Sequence, residues 1–210
     1  MAVDLAELLA DLKEEEALKV SKERLAKGDD PMKILEDSRR GMELVGKRFS
    51  SGEYFIPDLI YSGEILKEIN DIVKPKLTGN IKTKKIGKFL LATVAGDIHD
   101  IGKDIVAFMM DISGFEVIDL GIDVPKEKIV EKIKETKPQV VGLSGFLTLA
   151  FDSMKETIDA IKAAGLRNQV KIMIGGGQID EEVKRYTGAD AYRPDAVSAV
   201  TLAKEWVGAK

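Results

Sequence analysis

The spacing of apolar residues changes period once along this chain, and that change constrains the fold more than any other feature. From about Asp4 to Val73 the apolar positions fall at helical intervals: Leu5, Leu8, Leu9 and Leu12, then Ile34, Leu35, Met42, Val45 and Phe49, then Leu59, Ile60, Leu66, Ile69 and Val73. The punctuation agrees with that period. Asp30-Pro31 is an N-cap followed by proline at the first helical position, Gly52 follows a helix end, and Pro57 opens another helix. Residues 1–80 are therefore expected to form three or four helices packed as a small bundle, trailing into a polar linker from Pro75 to Lys85. From Ile86 short β-rich runs alternate with amphipathic segments. Strands are expected near 87–94, 115–119, 139–144, 170–174 and 190–192, and helices over 102–112, 125–136, 151–164, 179–187 and 195–207. Five such units predict an α/β domain over 86–210, a flavodoxin-like, doubly wound parallel sheet.

Open sheets of this kind bind ligands at the carboxyl ends of their strands. The buried run Phe89 to Val94 leads directly into Asp97-Ile98-His99-Asp100-Ile101-Gly102, which holds the only histidine in 210 residues. By residue type alone, His99 reads either as a hydrogen-bonded surface residue or as a ligand. An acidic residue two positions before it can hold Nδ1 and leave Nε2 free for a metal. Two further small or polar clusters follow strands: Ser144-Gly145-Phe146-Leu147-Thr148 after Val140 to Leu143, and Gly175-Gly176-Gly177 after Val170 to Ile174. Without a Gly-x-x-x-x-Gly-Lys pattern, the triple glycine is by itself only a flexible strand-to-helix turn.

Together these three clusters resemble the signature of the cobalamin-binding domain family: Asp-x-His-x-x-Gly, then Ser-x-Leu, then Gly-Gly, at similar separations. The resemblance continues upstream through Gly41 to Phe49 and Gly52 to Pro57, which look like the helical cap of cobalamin-dependent methionine synthases and of the corrinoid proteins of methyltransferase systems. It implies a bound cobalamin or related corrinoid held base-off/His-on, with His99 as the lower cobalt ligand through Nε2 and Asp97 holding Nδ1–H. Gly102, Ser144, Thr148, Gly175 and Gly176 would line the slot for the nucleotide tail, and Phe146, which departs from the usual leucine, would pack beside it. Asp100, counted among the cofactor-binding residues, and Lys103 read as helix-start residues, the lysine as a surface base, while Gly177 and Gln178 would open the next helix. Tyr54, Phe55 and Ile56 match the family's cap region, although bundle core is an equal reading for any one of them. In methionine synthases a serine six positions after the motif serine backs the aspartate. That position is Ala150 here, so the relay is expected to stop at His99 and Asp97.

The same resemblance implies a methyl carrier, inactive by itself. It would serve a substrate-specific methyltransferase, an acceptor methyltransferase using tetrahydrofolate or a thiol, and a reductive activator. A cobalamin-binding sensor is the alternative. Composition narrows the partners further. With 32 basic and 36 acidic residues, a net charge of −4 and no basic block beyond Lys82-Thr83-Lys84-Lys85, nucleic-acid binding is disfavoured. The chain has no cysteine, so disulfides and thiolate metal sites are excluded. The start of the chain lacks a basic signal region, and no long apolar stretch reads as a membrane span, so a cytoplasmic protein is expected.

Overall fold

The structure, a computed structural model, describes residues 4–76 and 85–209. These fall into two compact units, within residues 1–84 and 85–210. Most of the expected linker, including Lys82 to Lys84, lies outside the described residues; Lys85 pairs with Asp111 at 2.8 Å. No helix among the described residues is long and apolar enough to cross a membrane.

The first unit holds α1 (Leu5–Ala10), α2 (Glu14–Ala26), α3 (Pro31–Ser50) and α4 (Ile56–Val73). Its core is drawn from the helical-period residues, with Leu5, Leu9, Ile34, Val45, Leu59, Ile65 and Ile69 almost wholly buried. Asp30 caps α3 by accepting the Met32 N–H at 2.9 Å, and Pro31 follows it. One residue departs from the expected run. Leu12 lies beyond α1 with φ of 57°, and the Lys13 N–H returns to the Leu8 carbonyl at 2.9 Å, so the chain reverses through a left-handed helix stop after Ala10. Arg48 closes this corner by donating to the Ala10 carbonyl and to Asp11.

The second unit contains β1 (Lys88–Thr93), α5 (Ile101–Ile112), β2 (Glu116–Asp119), α6 (Lys126–Thr136), β3 (Val140–Ser144), α7 (Leu149–Ala163), β4 (Lys171–Gly175), α8 (Glu181–Thr187), β5 (Ala191–Tyr192) and α9 (Ala196–Trp206). The strands run parallel in the order β2-β1-β3-β4-β5. That is the doubly wound arrangement, with its reversal between β1 and β3. The apolar runs are strands because both sheet faces are covered: Leu90, Ala92, Val94, Val141, Leu143, Ile172 and Ile174 join one core with residues of α6, α7 and α8, and Phe89, Leu91, Val140 and Met173 are buried on the other face. Register fixes the site. Thr93 pairs with Ser144, and Ser144 with Gly175, so the ends of three central strands lie side by side. The last helix but one begins at Glu181 rather than just after Gly177, because the Asp180 carboxylate accepts the Glu182 and Val183 N–H groups and sets its start there.

Candidate functional site

The loop from β1 to α5 is shaped by one buried carboxylate. Asp97 is fully buried and accepts four hydrogen bonds. Oδ1 takes the His99 backbone N–H at 2.9 Å and the imidazole Nδ1 at 2.8 Å. Oδ2 takes the N–H groups of Phe146 at 2.6 Å and Leu147 at 3.0 Å, from the turn after β3. Burial alone would raise the Asp97 pKa, but the three backbone N–H groups and the imidazole outweigh it and hold the group down at about 2. The carboxylate is therefore ionised at neutral pH and accepts only, so Nδ1 carries a proton and the lone pair of a neutral imidazole stands on Nε2. The His99 side chain is half exposed, and its ring lies against that of Phe146 with centroids 4.6 Å apart and planes at 33°.

Other partners hold this loop in place. The buried Thr93 hydroxyl donates to the His99 carbonyl at 3.0 Å. Asp123, in the left-handed region with φ of 49°, accepts the Gly96 N–H at 2.7 Å while its own N–H donates to the Asp97 carbonyl at 3.0 Å. Sequence reasoning missed both residues. A short acidic residue between Ile122 and Val124-Pro125 was the available signal for a left-handed turn there.

Lys103 corrects an expectation. It is buried, not a surface base, and its ammonium bridges Asp104 at 2.6 Å and Asp119 at 2.5 Å, tying the first turn of α5 to the end of β2. Its spacing of seven from the buried Met110 puts both on one helix face, a signal present in the sequence. Asp100 is the exposed N-cap residue of α5 and makes no side-chain capping bond.

The remaining site residues gather at the same strand ends. Ser144 ends β3, Thr148 precedes α7, and neither hydroxyl bonds another described residue. At Gly102 an added Cβ would meet no heavy atom within 4 Å, so the space beside the first turn of α5 is open. Gly175 ends β4 and accepts the Gly145 N–H at 3.1 Å. Gly176 is required by the chain itself: with φ of 145°, a Cβ there would lie 1.8 Å from the Gly145 carbonyl oxygen. Ala150 is buried in the core with Val94 and Met154. Asp97 is not left unsupported by the alanine at 150, because the Phe146 and Leu147 N–H groups donate to its Oδ2. Among the upstream trio, Tyr54 is spoken for within the helical unit, donating to the Ala10 carbonyl and accepting from Arg48, whereas Phe55 and Ile56 are exposed.

The site thus offers one oriented imidazole with a free nitrogen, two unused hydroxyls and an open space beside a helical glycine. Exposed apolar side chains surround it in sequence: Ile98, Ile101, Leu147 and Leu149. This donor set suits a large, flat, largely apolar metal chelate that needs a single axial ligand from the protein.

Comparison with known proteins gives that description a family. Residues 87–201 match the family model described as B12 binding domain, and residues 2–74 match a second model of the same description. The trimethylamine corrinoid protein of Methanosarcina barkeri is 40% identical over 200 residues, spanning 94% of this chain and 92% of the relative. The crystal structure of a novel cobalamin-binding protein from Desulfitobacterium hafniense DCB-2 is 48% identical, covers 96% of both chains and superposes with a TM-score of 0.82. The fold is also that of the methanol:cobalamin methyltransferase complex of Methanosarcina barkeri, with a TM-score of 0.81 at 23% identity over 100% of this chain and 80% of that one. On this evidence the chain belongs to the family of cobalamin-binding corrinoid proteins of methyltransferase systems.

Proposed function

We propose that the protein is a methyl carrier that binds a corrinoid with His99 as lower ligand and passes methyl groups between two methyltransferases. The observation that carries this reading is the Asp97–His99 pair. An ionised, buried carboxylate fixes the imidazole proton on Nδ1 and leaves Nε2, on a half-exposed ring, as the available metal donor. When bound, the corrinoid supplies a cobalt centre able to accept a methyl group and surrender it. The chain's own residues do the rest. His99 would supply a ligating nitrogen, and Asp97, accepting from Nδ1, would hold its orientation. The Ser144 and Thr148 hydroxyls would serve as donors for the polar tail, and the open space at Gly102, two residues after Asp100, would admit it near the turns carrying Phe146, Gly175 and Gly176.

The partners in this reading are a substrate-specific methyltransferase, an acceptor methyltransferase using tetrahydrofolate or a thiol, and a reductive activator. The name of the trimethylamine relative makes a methylated amine the first donor to try. The helical unit, with Phe55 and Ile56 exposed, is assigned protection of the bound corrinoid from water and light.

The test is reconstitution with hydroxocobalamin. Wild type should take up one equivalent with a histidine-ligated cobalt(III) spectrum, and His99→Ala should still bind but lose that spectrum. Identical spectra would overturn the ligand assignment. Methyl loading from trimethylamine in the presence of its methyltransferase would establish the carrier role, and photolysis of bound methylcobalamin in the full chain against a fragment starting at Lys85 tests the helical unit. Equal photolysis rates would remove its protective role.

A further inference from the structure

Asp97 holds the imidazole of His99 at one atom only. A ring tethered through Nδ1 can still rock about that hydrogen bond, and an axial ligand must keep its plane as well as its nitrogen in place. The second restraint comes from Phe146. Its ring covers one face of the imidazole at 4.6 Å, while its backbone N–H donates to the carboxylate that holds the other end of the same imidazole. One residue therefore touches both members of the pair.

One edge of the Phe146 ring is also fitted. At Gly177 an added Cβ would lie 2.6 Å from one ring carbon of Phe146 and 3.0 Å from the next. Gly177 has no left-handed backbone requirement, unlike Gly176, so its lack of a side chain answers to this contact. A Cβ at 177 would displace this edge of the ring and so disturb its contact with the imidazole.

We infer that Phe146 is a positioning residue that sets the plane of the His99 ring, with Gly177 as its seat. This rests on His99 being the cobalt ligand. Loss of the aromatic wall removes a contact of the kind worth about two- to tenfold in an equilibrium. Loss of the Asp97 bond is not involved, because substitution of the Phe146 side chain leaves its backbone N–H in place.

The single histidine makes the test direct. In the corrinoid-free protein, the His99 ring protons should be shifted upfield by the Phe146 ring current in wild type. That shift should vanish in Phe146→Leu and Phe146→Ala, while the nitrogen shifts keep the pattern of a protonated Nδ1. In 15N-labelled protein loaded with unlabelled cob(II)alamin, the 15N doublet splitting counts the His-on fraction apart from the cofactor's own benzimidazole nitrogen. The ratio of His-off to His-on should rise two- to tenfold in Phe146→Ala. Gly177→Ala should also change it, and by less in the Phe146→Leu background than in wild type, the non-additivity expected of residues in contact. Unchanged ring-proton shifts, or one His-on fraction shared by wild type, Phe146→Ala and Gly177→Ala, would overturn the inference and leave His99 ligation standing. Absence of the 15N doublet in wild type would overturn both.

Discussion

The backbone N–H of Phe146 donates to Oδ2 of Asp97 at 2.6 Å across 49 positions of sequence. This bond joins the turn after β3 to the loop after β1, the two connections that part at the reversal of the sheet. With the Leu147 N–H beside it, the carboxylate is saturated before any ligand arrives. Its charge is thereby committed to two tasks, holding the loops together and holding the His99 proton.

Replacement of Asp97 by Asn should separate those tasks. An amide offers one acceptor oxygen in place of two, so N–H groups of His99 or of Phe146 and Leu147 lose their partner in a buried site. The expected loss is about 2–4 kcal/mol of stability, from the penalty of unsatisfied buried donors. Urea unfolding of the corrinoid-free protein, with an unchanged m-value and a lower midpoint, is the measurement. An unchanged midpoint would mean that the carboxylate does not bind these loops together.

The same group sets an acid limb. The folded-state pKa of Asp97, about 2, lies below its ordinary value of 3.8. A depressed carboxylate contributes stability that is fully present above the unfolded value and is lost as pH falls through the folded one. The contribution is on the order of 2 kcal/mol, and it should disappear between about pH 4 and pH 2. Unfolding free energies measured across that window should fall more steeply for wild type than for Asp97→Asn, and parallel curves would refute the assignment.

Gly102 and Gly176 should respond in opposite ways. A Cβ at Gly176 collides with the Gly145 backbone in a left-handed conformation, so Gly176→Ala should unfold the second unit or destabilise it by roughly 3 kcal/mol or more. At Gly102 a Cβ enters open space within a helix, so Gly102→Ala should stabilise the corrinoid-free protein by about 0.5 kcal/mol. Gly102→Leu should fold and yet take up less cobalamin. Full stoichiometric uptake by that variant would show that the space beside Gly102 is not used by the ligand.

Lys103 distinguishes charge from packing. Asp104 is largely exposed and Asp119 partly so, and both regain water if the ammonium is removed. Lys103→Met, which keeps the buried stem, should therefore cost less than about 1 kcal/mol, and Lys103→Ala about 2 kcal/mol. Thermal melts of both variants decide it. Equal losses would show that the bridge to Asp119, rather than the stem, carries the contribution.

Much of this molecule was legible in one dimension. Helices and strands followed from residue period, because burying one stripe or two faces leaves a repeat in the sequence; the ends of α3 followed from Asp30-Pro31 and Gly52 because capping is local chemistry. The motifs were legible as clusters following successive strands, and the register sets those strand ends side by side. What the tertiary structure alone decided is how those motifs serve one another. Asp97 meets Phe146 and Leu147 through backbone N–H groups, which no side-chain pattern records. Lys103 meets Asp119 because β2 lies beside α5, and Gly176 faces the turn after β3, whose Gly145 carbonyl oxygen lies 1.8 Å from where its Cβ would stand. Each of these depends on strand order and register, which join residues tens of positions apart, whereas period and capping act within a few residues of the chain.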